Sequence, residues 1–442
     1  MARVVFCKMR VALSDSKNIP TGRLGRLARL ARTGASAGIG LLRGDASSSA
    51  QDAAKTLGQM RALAAKMGQM AAYVDGVVPE KHRQAYEQSM KGLLDATPAS
   101  KPEDVAARFV EQLGASPEEL FDHWDPTPIA SASIGQVHRA TTKQGVEVAV
   151  KVQHPGVEDA LEQDLKNAKL LEHMMSVMGA RKFDSKRMLQ ELKERFREEL
   201  DYGLEARRQS AFARFFEDDP HIDIPEVFPE LSSTRVLTTR FAHGHDFDHA
   251  MEAPEPTRAA YCEHMWRFAY KATLIGRMFN ADPHPGNYKF HDDGRVTFLD
   301  FGCVQTASME RAQRALAVHR AAVQRDEQGF EDAARVLMQL DGGQWESLAL
   351  DYMRHCFEPQ FCGEFRLSRD YATSVLEHLR DITLQTRGAK DDHFVPLQEG
   401  MLFINRMQFG FYSILGKLDA PVDYNAIERG YVFSEPVQDL LV

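Results

Sequence analysis

The chain has 442 residues, 43% of them hydrophobic and 26% charged, which is too apolar for a disordered chain and too evenly charged for a membrane protein with long uncharged runs. At roughly 100 to 200 residues per domain, the length points to two or three domains and excludes a single small module. The five cysteines, Cys7, Cys262, Cys303, Cys356 and Cys362, form no CxxC pair, so neither a disulfide framework nor a thiolate zinc site is indicated and a reducing compartment fits best.

Residues 1–45 carry nine basic and two acidic side chains against a net charge of −9 overall, which leaves about sixteen net negative charges on the rest. Residues 1–50 therefore read as a separate basic leader. Its start, MARVVFCKMRVALSD, has too short an apolar run and no cleavage site for a secretory signal. Arg23, Arg26, Arg29 and Arg32 alternate with Leu24, Leu27 and Leu30, a basic amphipathic pattern suited to peripheral contact with anionic lipid through residues 22–43 or to docking on the acidic remainder of the chain. No apolar run reaches the roughly eighteen residues of a membrane span, so the expected location is cytoplasmic, with membrane contact at most peripheral.

Residues 51–122 read as a helical extension, with Leu57, Met60, Leu63, Met67 and Met70 keeping a helical period. The texture changes to strands from Pro126 to Gln153. There, a small-residue turn is expected at Ala130 to Ser133, a strand from Ile134 to Thr142 and a turn at Gln144-Gly145. In the next run Val146, Val148, Val150 and Val152 alternate with Glu147, Ala149, Lys151 and Gln153, which sends Ala149 and Lys151 to the face opposite the valines. Residues 157–178 and 184–218 look helical, and Arg235 to Thr239 looks like a short strand. Beyond residue 255 the pattern is mostly helical, apart from a hairpin of Tyr288–Phe290 and Val296–Leu299 around Asp293-Gly294. The expected fold class is α+β, with residues 123–245 as a sheet-bearing lobe and 246–442 as a helical lobe.

The strongest chemical signal is NADPHPGNYKFHDDGRVTFLDFG, residues 280–302. Asp282 and Asn287 lie in a Pro- and Gly-rich loop, and Asp300 directly follows the hairpin. Phosphoryl transfer needs a carboxylate near the acceptor, and a carboxylate plus an amide oxygen to hold hard cations; these three residues supply that set. On the 184–218 helix, Glu198, Asp201, Tyr202 and Glu205 would share one side, a stack of acids that requires something basic opposite, with Lys151 and Lys66 as candidates. His284, between two prolines, reads as a structural residue. His243, His245 and His249 cluster in AHGHDFDH, but no strand or helix spacing organises them, and they are not read as a metal site.

Val148 to Lys151, the Asp282/Asn287 loop and Asp300-Phe301-Gly302 resemble the protein-kinase signature set. Two departures narrow the match: IASASIGQVH replaces a glycine-rich flap, and Lys66-Met67-Gly68-Gln69 lies upstream. With Glu199-Leu-Asp201-Tyr-x-x-Glu205 and ADPHPGN, these make the chain similar to the UbiB/AarF family of atypical protein-kinase-like proteins from about residue 20 to residue 420. The resemblance implies a bilobal protein-kinase-like fold with an N-terminal helical extension. It implies a phosphate-binding lysine at Lys151, an ion-pair partner at Glu205, a catalytic Asp282, metal ligands at Asn287 and Asp300, and a nucleotide loop at Ala130, Ser131, Ala132 and Ser133, with Ala149 beside it. It further implies regulatory roles for Lys66, Gly68, Gln69, Glu199 and Asp201, with the extension folding over the cleft and making a poor protein kinase.

The cofactors implied are ATP and Mg²⁺. The expected activity is that of an ATP-dependent phosphotransferase or ATPase serving quinone or other lipid metabolism, with no nucleic-acid partner; a nucleotide-binding pseudokinase scaffold and a small-molecule kinase are the alternatives. Asn280 stands where the family often has histidine, so turnover is expected to differ while metal binding survives. At the position of a kinase hinge, Thr239-Arg240-Phe241 places a cation that the reading does not explain. The end, YVFSEPVQDLLV, lacks the hydrophobic hairpin of some family members.

Overall fold

A computed structural model describes residues 99–131, 134–159, 194, 197–385 and 401–440, all within the unit Arg61–Val442. The leader at 1–50, residues 51–98 of the extension with Lys66, Gly68 and Gln69, most of the helix expected at 157–178, and Ala132 and Ser133 lie outside the described residues.

Helix α1 (Pro102–Leu113) begins with proline, whose missing N–H is of no consequence in a first turn, and ends at Gly114 in the left-handed conformation (φ 80°). The short α2 (Pro117–Leu120) runs into β1 (Phe121–Trp124). Then come β2 (Ala130–Ser131), β3 (Gly135–Thr142) and β4 (Glu147–Gln153), the last two joined by a turn at Gly145, φ 83°. After α3 (Tyr202–Phe215) and β5 (Ile222–Asp223), β6 (Val236–Arg240) completes an antiparallel sheet of order β1-β3-β4-β6, with β2 added to β3.

Three differences from the sequence reading have local causes. Ala130 and Ser131 are strand rather than turn, pairing with Val137 and Gln136. The boundary expected between residues 122 and 123 falls inside β1. Phe121 and the α1 residues Val105 and Phe109 share one core with Val148, Val150 and Val152, so α1 belongs to the sheet that covers its apolar face. The helix expected to run unbroken over 184–218 instead stops at Leu200 and restarts after Asp201, whose carboxylate accepts the Leu204 N–H at 3.0 Å as an N-cap. The break is satisfied from outside: the Leu200 carbonyl accepts from Gln153 Nε2 (2.8 Å) and Arg235 Nη1 (2.6 Å).

The second lobe is built around α5 (Glu255–Leu274), preceded by α4 (Phe247–Glu252). Strands β7 (Met278–Asn280), β8 (Tyr288–Phe290), β9 (Val296–Phe298) and β10 (Val304–Thr306) follow it. Around these lie α6 (Met309–Gln324), α7 (Glu327–Met338), α8 (Gly343–Cys356), α9 (Glu358–Phe361), β11 (Phe365–Arg366), α10 (Arg369–Gln385), α11 (Met401–Leu418), β12 (Pro421–Val422) and α12 (Tyr424–Val432). Helix α5 is covered on most sides, with Tyr261, Met265, Trp266, Phe268 and Ala272 all buried in the main core. A buried charge that tethers it is satisfied: Glu428 accepts from Trp266 Nε1 (3.0 Å), Gln360 Nε2 (3.2 Å) and His319 Nδ1 (2.7 Å). Among the described residues the cysteines form no disulfide, and burial pushes the Cys262 thiol up to about 12.

Phe109 is fully buried edge-on to Trp124 at 5.2 Å and to Phe121 at 6.1 Å. Phe109→Ala is expected to lower stability in urea denaturation by about 3 to 5 kcal/mol, the usual penalty for emptying a core aromatic site. A loss under about 1 kcal/mol would show that α1 is not part of the sheet's core.

Candidate active site

Burial of Val148, Val150 and Val152 on one face of β4 commits Ala149 and Lys151 to the other, as the alternation predicts. Lys151 is flanked by Val137 on β3 and Leu237 on β6, so its backbone is fixed on both sides. Its Nζ donates to both carboxylate oxygens of Glu205 on α3, each at 3.0 Å, and lies 3.7 Å from Asp300 Oδ2. Tyr202 places its ring 4.9 Å beneath the ammonium. Burial alone would lower the Lys151 ammonium, but the Asp300 and Glu205 carboxylates outweigh it and hold the group well above its usual value. Burial raises the Glu205 carboxyl, and Lys151 opposes that rise only in part. The two 3.0 Å contacts let the ammonium hold the carboxylate.

The Asp282 loop and the Asp300 segment are brought together by strand pairing. Strand β7 runs into the first and β10 leaves the second, and the two pair antiparallel with Asn280 opposite Val304. Asn280 then bridges them, its Nδ2 donating to the Asp300 carbonyl (2.5 Å) and its Oδ1 accepting the Asp282 N–H (3.2 Å). Within the loop, Asn287 Nδ2 donates to the Asp282 carbonyl (3.0 Å) and Oδ2 (3.4 Å), and the Asn287 carbonyl accepts the Leu299 N–H (3.0 Å). His284 Nδ1 accepts the Gly286 N–H at 3.1 Å. Asp300 Oδ1 accepts the Gly302 N–H at 2.9 Å. Phe301 is fully buried against Phe212 of α3, ring centroids 5.0 Å apart.

The structure thus brings Lys151, Glu205, Asp282, Asn287 and Asp300 into one connected set. It does not place Glu198, Asp201 and Glu205 in one acidic stack. Because the helix restarts at Asp201, Glu198 pairs with Arg208 Nη2 at 2.6 Å, Asp201 caps α3, and Glu205 alone reaches Lys151. Glu199 is the last helical residue before the break. The unexplained cation Arg240 points out of the hinge position to Asp223, 2.6 Å away, and so has a structural partner.

Tyr202, which the sequence sets on one side of the helix with Glu205, faces Lys151, whereas Arg208 carried no sequence signal of its own. Tyr202 is buried under Lys151, and a Cβ at Gly135 would fall 2.7 Å from its hydroxyl, so the glycine leaves room for the tyrosine. Arg208 donates to the Gly302 carbonyl at 3.2 Å; only its place three residues after Glu205 could have suggested a shared helix face.

The donors offered by Asp300 and Asn287 are a carboxylate and an amide oxygen, which suit a hard cation such as magnesium. On β2, the Ser131 hydroxyl is buried without a hydrogen-bond partner, a donor that a phosphate oxygen would satisfy. The residues present therefore fit a magnesium nucleotide.

A sheet lobe that hands a lysine to a helix glutamate, facing an aspartate at the end of a hairpin in a helical lobe, places this chain in the protein-kinase-like class. Residues 92–334 match the ABC1 atypical kinase-like domain, more than half of the chain, and the chain belongs to that family. It is 28% identical over 407 residues to the mitochondrial atypical kinase coq-8 of Caenorhabditis elegans, covering 87% of this chain and 51% of that protein. It is 26% identical to the mitochondrial atypical kinase COQ8 of Saccharomyces cerevisiae, over 82% of this chain and 72% of that one. The uncharacterized protein Rv0647c of Mycobacterium tuberculosis is 32% identical over 54% of this chain and 49% of its own length. The chain thus spans about half the length of the worm and mycobacterial relatives. The Rv3197–erythromycin complex structure from M. tuberculosis superimposes with a TM-score of 0.59 at 25% identity, covering 94% of this chain and 100% of that one.

Lys151→Met leaves Glu205 buried beside Asp300 with no cation. Its carboxyl, already raised by burial, rises further, so the folded state holds the proton to higher pH than the unfolded state and stability falls as pH rises through that interval. The deficit against the parent in urea denaturation is expected to grow between about pH 5 and about pH 8 to roughly 3 to 5 kcal/mol, and Glu205→Leu added to it should recover most of the loss. A deficit that does not change with pH would show that the two charges are not coupled.

Proposed function

We propose that the chain binds ATP with magnesium and transfers or hydrolyses the terminal phosphoryl group, in the service of quinone or another lipid metabolism. The observation that carries this reading is the position of Lys151, clamped by Glu205 at 3.0 Å yet 3.7 Å from Asp300, with Asn280 tying Asp300 to the Asp282 loop.

In this reading Lys151 contacts the phosphates and Glu205 fixes its direction. Asp300 and Asn287 hold the metal, which neutralises charge on the phosphate oxygens when bound. Asp282 lies near the acceptor and orients it or takes its proton, and Ser131, with Ala130 and Ala149 nearby on the sheet, faces the nucleotide. Charge counting supports the need for a divalent cation. Glu205 and Asp300 both face the Lys151 ammonium, so carboxylate outweighs ammonium where a polyphosphate would have to lie. Phosphoryl transfer draws mostly on positioning and electrostatics, which this set supplies.

We place Lys66, Gly68 and Gln69 over the cleft, as in the family resemblance, with Glu199 and Asp201 acting alongside them; the domain division at residues 50, 122 and 245 is kept in outline, with α1 moved to the sheet lobe. A cytoplasmic setting with peripheral lipid contact through residues 22–43 fits this reading, and among the described residues no helix is long and apolar enough to cross a membrane.

Asp300→Asn is expected to abolish magnesium-dependent nucleotide binding, measured by titration calorimetry. Asp282→Asn should keep binding and lower phosphate release by about 10² to 10⁴-fold. An unchanged ATPase rate in Asp300→Asn would reject the metal role. For the extension, Lys66→Ala is expected to raise phosphorylation of a generic protein substrate; robust phosphorylation by the parent that Lys66→Ala leaves unaltered would remove the blocking role.

A further inference from the structure

Away from the cleft, His245, His249 and Asp292 bring three ligand atoms within 4.8 Å of one another. The sequence spacing of AHGHDFDH did not organise its histidines, because the third ligand comes from a hairpin more than forty residues on. We propose that these three side chains form a binding site for a borderline divalent ion of the zinc class, held by two imidazoles and one carboxylate.

The chain builds this site through Gly244. Its backbone sits at φ 125°, and a Cβ there would meet the Phe290 carbonyl at 3.0 Å and Lys289 Cβ at 3.1 Å. That close approach lets His245 form a two-way bridge with Phe290, N–H to carbonyl at 2.8 Å and 3.0 Å. His245 is thereby pinned to the end of β8, two residues before Asp292. His249 comes from the short α4, where its N–H is held by Asp246 at 3.0 Å.

Two of the ligand atoms already stand at coordination distance. His245 Nε2 lies 3.3 Å from Asp292 Oδ1; with bonds of about 2.0 to 2.2 Å, two ligands of a tetrahedral zinc are roughly 3.3 to 3.5 Å apart. The His249 ring stacks on His245 with centroids 3.9 Å apart and planes 17° apart, and it has to turn out of that stack to bring its nitrogen to the same ion. The side chains of His245 (42% exposed) and Asp292 (86% exposed) have room for that adjustment, and water completes the shell.

The neighbouring charges are already assigned: His243 pairs with Glu147 at 3.0 Å, and Asp293 with Arg295 at 2.7 Å. The ligand set is also distinct from the oxygen donors at Asn287 and Asp300. A bound ion would tie the segment that follows β6 to the turn of the β8–β9 hairpin, which runs between Asn287 and Asp300, and so would stiffen the element that joins them.

The test uses the full chain, metal-free, titrated with zinc chloride against a competing chelator dye, with His249→Ala and Asp292→Asn in parallel. The parent should bind one equivalent more tightly than the rest of its sixteen histidines allow, and each variant should weaken that equivalent by more than about tenfold. Zinc should raise the melting temperature of the parent and not of the variants. Magnesium nucleotide binding without zinc should be equal in all three, which shows the variants are folded and separates this outcome from any failure of the nucleotide reading. If the parent binds no such equivalent, or both variants bind it unchanged, an adventitious ion only is present and the proposal is overturned.

Discussion

A lysine ammonium held between Glu205 and Asp300, largely withdrawn from water, is the contact on which the rest of the arrangement turns. Removing an ion from water costs several kcal/mol, and a well-packed apolar pair in the same place is often as stable or more so. A fold under no other demand would have little reason to keep these charges at the junction of its sheet and helix. The bidentate 3.0 Å geometry recovers enough of the desolvation to keep Lys151 charged, and the price is a rigid requirement that β4 and α3 hold one relative position.

Helix α3 meets that requirement with a single face. Glu205, Arg208 and Phe212, at steps of three and four, reach Lys151, the Gly302 carbonyl and the Phe301 ring in turn. The helix therefore contacts the lysine strand and the segment after Asp300 at once, and its rotational phase decides both. The restart at Asp201 sets that phase. An unbroken helix from further upstream would carry its phase in from residues that touch neither element, whereas a new N-cap lets Glu205 be placed from the site outward. The carbonyl released by the break at Leu200 is taken up by Gln153, only two residues from Lys151, so the break and the lysine strand are coupled.

What could be read from the sequence followed the length of each pattern. The β4 alternation spans enough residues to fix the facing of Lys151, and the β8–β9 hairpin announces itself through Asp293-Gly294. Strand β2 has two residues, too few for any period, and its strand character comes from pairing with β3. The glycine next to the α3 break, Gly203, lies inside the new helix rather than at Leu200; the carbonyl released there depends on Gln153 and Arg235, which are remote in sequence. Asp292 was illegible for the same reason, since it matters only through a neighbour that folding delivers. Arg240 looked anomalous until Asp223, seventeen residues earlier, supplied its counter-charge.

Asn280 shows how a departure from a family pattern can be chemically sufficient. The position has to do two things: donate to the Asp300 carbonyl and accept from the Asp282 N–H. A histidine can do both only as one neutral tautomer, and it loses its acceptor when protonated, in the range where imidazole ordinarily titrates. An amide carries donor and acceptor permanently, on a shorter arm. Here the clasp between the two aspartate segments is therefore independent of proton concentration near neutrality, and any pH response of the site has to arise in the acids and the lysine themselves.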